Sequence, residues 1–102
     1  MEKYFLHGNL TAKPGQEEKL VEILLQASKR VKDSKGCRFY TISIDPNIKE
    51  NIWVTEIWDS KADHNNSLKD EKTRELILMA MPLLNRMPET GQELVTLGGI
   101  GF

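Results

Sequence analysis

Cysteine is almost absent: Cys37 stands alone in 102 residues, so an internal disulfide and a multi-cysteine metal site are both excluded. An excess of one charge is missing too, since 14 basic residues face 15 acidic ones for a formal net charge of −1. Binding to a phosphate backbone needs a basic surplus, and the basic residues here are scattered, mostly on predicted helices beside acidic ones. They read as solvated helix faces, and no nucleic-acid partner is expected. No apolar run approaches the length of a membrane span, and the start Met1-Glu2-Lys3-Tyr4-Phe5-Leu6 lacks the apolar stretch of a signal peptide. The expectation is a soluble, cytoplasmic protein with no membrane partner. Repeats, linkers and low-complexity segments are also lacking, so residues 1–102 read as a single domain. A domain of this size buries a limited core, and many of its kind gain stability by pairing.

What is present is periodicity. Residues 4–12 alternate, with Tyr4, Leu6, Gly8, Leu10 and Ala12 on one face and Phe5, His7, Asn9 and Thr11 on the other. That is the period of a strand, and Lys13-Pro14-Gly15 ends it because proline cannot serve a ladder. Residues 16–32 carry Leu20, Leu24, Ala27 and Val31 at helical spacing, widened by Val21 and Ser28. Acidic Glu17 and Glu18 open this helix and basic Lys29, Arg30 and Lys32 close it, both complementing its dipole. Residues 37–45 and 51–58 alternate again, joined by the turn Asp45-Pro46-Asn47, and predict an antiparallel hairpin. Tyr40, Ile42 and Ile44 share one face of the first of these strands; Ile52, Val54, Glu56 and Trp58 share one face of the second.

Ser60-Lys61-Ala62-Asp63 then resembles a capping box, with Asp63 in place of the usual Glu or Gln. The helical region that follows is uneven. Asn65, Asn66 and Ser67 suit a helix interior poorly and Pro82 should break it. A short helix, an irregular joint over residues 65–69 and a longer helix over 70–81 are predicted. A last strand covers residues 93–97, and the glycines of the tail after it argue against regular structure. They make no phosphate loop either, since no helix or lysine follows them. The order β-α-β-β-α-β is the split βαβ pattern of an α+β, ferredoxin-like fold with an antiparallel sheet. Helices cover one sheet face; Phe5, Phe39 and Trp53 remain on the other. Bare aromatics there are a liability, and a second copy packed sheet to sheet, as a dimeric α/β barrel, is the simplest remedy.

In this order the chain resembles the antibiotic biosynthesis monooxygenase family, within the dimeric α/β-barrel superfamily. The matching pieces are Lys13-Pro14-Gly15, Gly36-Cys37-x-x-Tyr40, Glu56-x-Trp58, the run from Ser60 to His64, and Pro82-Leu83-Leu84. Each is weak alone; the ordered set spans nearly the whole chain. The resemblance implies a homodimer and a monooxygenase that needs no cofactor, oxidising a quinol-like or polyaromatic small molecule with molecular oxygen. The substrate, once deprotonated, supplies the electron, so the protein binds a ring, favours its anion and limits water.

His64, one turn into the second helical region, is the candidate base for a phenolic proton, set against an exposed or structural histidine. Many family members place a helix histidine three positions later, where this chain has Ser67, which is carried as a substrate-side candidate. Trp58 either walls an aromatic pocket or packs under the helix, and Tyr40 either orients a substrate oxygen or fills the core. His7 and Asn9 share the face assigned to a partner sheet, and Cys37 reads as packing. Met79 and Met81 read as helix packing, with Met87 a third methionine able to line a cavity. No metal site is expected.

Three other functions compete. One is a non-catalytic small-ligand-binding or stress-associated dimer. Another is haem degradation, which requires a strand-one asparagine and a helix tryptophan and histidine. Those positions fall on Gly8, Ser67 and Ile77, and neither helix residue can ligate iron. The third is an isomerase of a small carbonyl compound.

Overall fold

A computed structural model describes residues 2–88 and 91–102. Its elements are β1 (Lys3–Thr11), α1 (Glu17–Val31), β2 (Cys37–Asp45), β3 (Ile48–Trp58), α2 (Lys61–Ser67), α3 (Glu71–Ala80), a 3₁₀ turn (Met81–Leu83) and β4 (Gln92–Thr96). The strands form an antiparallel sheet in the order β2-β3-β1-β4, the ferredoxin-like arrangement.

Register follows from alternation. Tyr4, Leu6, Gly8 and Leu10 of β1 lie opposite Trp58, Glu56, Val54 and Ile52 of β3, and Tyr40, Ile42 and Ile44 of β2 continue the same face. Against this face pack Leu20, Ile23 and Leu24 of α1 with Ala80, Leu83 and Leu84. Leu20, Ile52 and Trp58 are the largest side chains fully removed from solvent. On the other face, Phe5 and Phe39 both sit opposite Ile57, and Trp53 lies opposite Asn9 and Ser43. Among the described residues no helix covers that face.

The second helical region departs from expectation in where it breaks. Asn65, Asn66 and Ser67 are helical, and the interruption falls on Leu68, Lys69 and Asp70. Local preference is overridden because the Ser60 hydroxyl accepts from the Asp63 N–H at 3.1 Å and so starts α2 early, while Asp70 accepts from the Thr73 N–H at 3.0 Å and restarts the chain as α3. Pro82 lies within the 3₁₀ turn that ends α3. β3 begins three residues sooner than its apolar pattern, because Lys49 and Glu50 extend the hairpin into solvent. Met79 is exposed rather than packed, since it lies on the outer side of α3.

Gly36 controls how α2 meets the sheet. Its φ of 82° is unfavourable for other residues, and the Asp63 side chain occupies the space that a Cβ would take. Its carbonyl accepts from the Asp59 N–H at 2.8 Å, which holds the end of β3 against the start of β2.

Candidate functional site

A cavity of about 270 Å³ lies between the covered sheet face and the helices. This approaches the lower end of the range usual for small-molecule sites, about 300–1,000 Å³. Most of its wall is aliphatic, from Leu6, Leu10 and Val54 on the sheet, Ile23, Leu24 and Ala27 on α1, and Leu76, Ile77 and Ala80 on α3. Among the described residues no lysine or arginine lines it, and its ionisable walls are Glu56, His64 and Tyr40.

Glu56 breaks the apolar alternation of β3 and is buried, with 8% of its surface exposed. The Trp58 indole N–H donates to Glu56 Oε1 at 2.9 Å, and His64 Nε2 lies 3.7 Å from the same oxygen. Burial pushes the Glu56 carboxyl above the usual carboxylate range; the indole hydrogen bond and then the His64 charge pull the other way. His64 Nδ1 lies 3.0 Å from Asn65 Oδ1. An amide oxygen only accepts, so Nδ1 carries the proton of the neutral ring and Nε2 keeps its lone pair. The His64 ring is fixed further by the Trp58 ring, edge-on at 5.8 Å, and the Tyr4 ring at 5.6 Å. The Tyr4 hydroxyl donates to Glu93 at 2.7 Å, and Lys61 pairs with the same carboxylate at 2.9 Å.

His64, Tyr40 and Ser67 all border the cavity. The Ser67 hydroxyl is engaged locally, donating to the His64 carbonyl at 2.6 Å. Burial keeps the Tyr40 phenol protonated, with the neighbouring Glu56 and Cys37 acting in the same direction. Trp58 does not reach the cavity: it is fully buried behind the wall, where its indole serves Glu56 instead of stacking on a ligand. Burial, then Glu56, raises the Cys37 thiol, which keeps it a poor nucleophile. Met81 lines this cavity, whereas Met87 belongs to a hollow on the opposite sheet face. There His7 stacks on Trp53 at 4.9 Å and its Nδ1 meets the Thr55 hydroxyl at 2.9 Å. Among the described residues no group of three or more His, Cys, Asp or Glu could hold a metal ion. Glu56 is the site residue that reading the sequence missed. The signal was present, as a carboxylate on the inward face of an otherwise apolar strand.

Fold and site together define a ferredoxin-like α+β domain with a ligand-sized, mostly apolar cavity closed by a carboxyl–imidazole pair. The profile of the antibiotic biosynthesis monooxygenase family matches residues 3–77, and the chain belongs to that family. A crystal structure of a candidate antibiotic biosynthesis monooxygenase from Chloroflexus aurantiacus is 33% identical, with a TM-score of 0.87 and 97% of each chain covered. A candidate monooxygenase of the same description from Caulobacter crescentus superimposes with a TM-score of 0.85 at 14% identity, covering 94% of this chain and 91% of that one. A protein from Pseudomonas aeruginosa gives 0.85 at 20% identity, covering 96% and 97%. The last two likenesses bear on the fold alone. No curated protein matches the chain at a significant level.

Proposed function

We propose that this protein is a cofactor-independent monooxygenase that oxidises a quinol-like or polyaromatic small molecule with molecular oxygen, using His64 as the base. The observation that carries this reading is the His64 imidazole at the wall of an apolar cavity, its Nδ1 held by Asn65 so that Nε2 is left to accept a proton. Such a base takes an acidic C–H or O–H proton from a bound ring. The anion passes one electron to oxygen, and the resulting radical pair combines to a peroxide. For an anthrone-type CH2, loss of water from the hydroperoxide leaves C=O, so one oxygen atom enters the product and the other leaves as water. The aliphatic walls keep bulk water from the anion.

The reading includes a homodimer built through the uncovered sheet face, where Phe5, Phe39 and Trp53 lie partly exposed. A stable monomer by light scattering at micromolar concentration would remove that part. Among the described residues no helix is long and apolar enough to cross a membrane.

The test is oxygen uptake by metal-free protein over a panel of hydroquinones and anthrones, with boiled protein and His64→Ala as controls. Protein-dependent uptake with matching quinone formation, lost in the variant, is the expected result. Uptake that survives the variant discards His64 as base. Binding without uptake shifts the weight to a ligand-binding dimer.

A further inference from the structure

We propose that Glu56 is a second catalytic residue: a carboxylic acid that donates a hydrogen bond to the substrate oxygen while His64 Nε2 removes the proton from that oxygen, so that the two clamp one hydroxyl of a neutral ring. The proposal rests on His64 being the base.

Geometry carries it. The 3.7 Å between His64 Nε2 and Glu56 Oε1 is too long for a good hydrogen bond and leaves both groups short of a partner on that side. A hydroxyl oxygen at the cavity wall can sit within about 2.8 Å of both, donating to the imidazole and accepting from the acid. The Trp58 indole already occupies Oε1 as a donor, which fixes the carboxyl plane. In the step itself the substrate O–H bond breaks and an N–H bond forms at Nε2; the carboxyl keeps its proton throughout. Charge balance explains why an acid is needed. With Glu56 protonated, the step turns three neutral groups into an imidazolium and an oxyanion, and the net charge inside the cavity stays zero. With Glu56 ionised, one cation would face two anions in a wall that holds no lysine or arginine. A neutral acid aimed at a developing oxyanion is a strong electrostatic stabiliser in a dry site. Other titratable groups around the pair are Tyr4 on β1, Cys37 and Tyr40 on β2 and Glu93 on β4, the last paired with Lys61 of α2. Burial raises the Tyr4, Cys37 and Tyr40 groups, so near neutral pH they stay protonated and add no charge.

The same balance sets the ligand class. A ring that bears a carboxylate brings an anion to an acid that must stay neutral, so neutral hydroxylated rings are favoured over carboxylated ones of the same size.

The experiment is anaerobic binding, which needs no turnover. Affinity for 2-naphthol and 2-naphthoate is measured by calorimetry from pH 5 to 8.5 with wild type, Glu56→Gln and Glu56→Leu. Wild type should bind naphthol at least tenfold tighter than naphthoate at neutral pH and lose naphthol affinity as Glu56 ionises. Glu56→Gln, which keeps an N–H donor and cannot ionise, should lose that pH dependence, while Glu56→Leu should weaken naphthol at least tenfold. Equal affinity of wild type for the two probes, or a pH dependence unchanged in Glu56→Gln, overturns the proposal. The wild-type arm stands even if a variant does not fold. Loss of the clamp with oxygen uptake intact would leave the monooxygenase reading standing, and an intact clamp without uptake for any substrate would do the reverse.

Discussion

The two faces of the sheet are written by the same strands and end in opposite conditions. On the covered face, Ile52, Val54 and Trp58 disappear beneath helices, and the one carboxyl among them, Glu56, is boxed in by an indole and an imidazole. On the bare face, Phe5, Phe39 and Trp53 share the surface with His7, Asn9, Thr11 and Thr55, and among the described residues no helix covers them. A polar group on the first face has fixed partners and a chemical use; polar groups on the second bond to one another along the sheet, as His7 does with Thr55. One side is a finished interior with a cavity, while the other is the surface through which the proposed homodimer would form.

Breaking each face should therefore damage a different property. Leu20→Ala removes a fully buried side chain and should lower unfolding stability by about 2–5 kcal/mol in urea titrations, with association unchanged once folded. A loss below about 1 kcal/mol would mean that the covered face is not the core. Trp53→Glu should instead weaken self-association at least about 100-fold, or about 3 kcal/mol, in sedimentation equilibrium, while circular dichroism stays that of a folded chain. Unchanged association would show that the bare face is not the contact.

A pH series sharpens the contrast on the covered side. Because the folded state raises the Glu56 carboxyl above its unfolded value, the fold holds an extra proton between the two. Wild-type stability from this group is greatest below the unfolded value and falls as pH rises through the folded one. Glu56→Gln should thus gain on wild type as pH rises from the ordinary carboxylate range, read as a rising difference in urea midpoints; a difference that is flat with pH would contradict the burial argument. The smallest effect belongs outside both faces. Leu78, 69% exposed on α3, should tolerate Ser within about 0.5 kcal/mol.

The sheet was legible because alternation has a period of two and each strand shows it. β2 spans the residues its pattern predicts, and the buried stripe of α1 needs only Ile23 added. Position within a helix was less legible, since Asn65 and Asn66 resist helix formation locally and are held in one by the cap at Ser60. The site was half visible. His64 stands out as a titratable side chain near a helix start, but its meeting with Glu56 depends on how α2 tilts over β3, which no spacing within either element states. Trp58 could be read as wall or filler; its use as a hydrogen-bond donor to a residue two places earlier required both side chains to be seen buried together.

The division of the cavity's roof at residues 68–70 has a kinetic side. α3 is anchored at its start, where Asp70 takes both a cap bond from Thr73 and a two-point bond from Arg30 of α1 at 2.8 Å. α2 has seven residues and a single serine cap, too few to hold a helix without the sheet beneath it. Faster amide exchange across α2 than across α1 is therefore expected. Since His64 rides on α2, lifting this flap separates the imidazole from Glu56, and lowering it over a guest brings them back. Under the proposed function, admitting a substrate and assembling the pair that acts on it would then be the same movement.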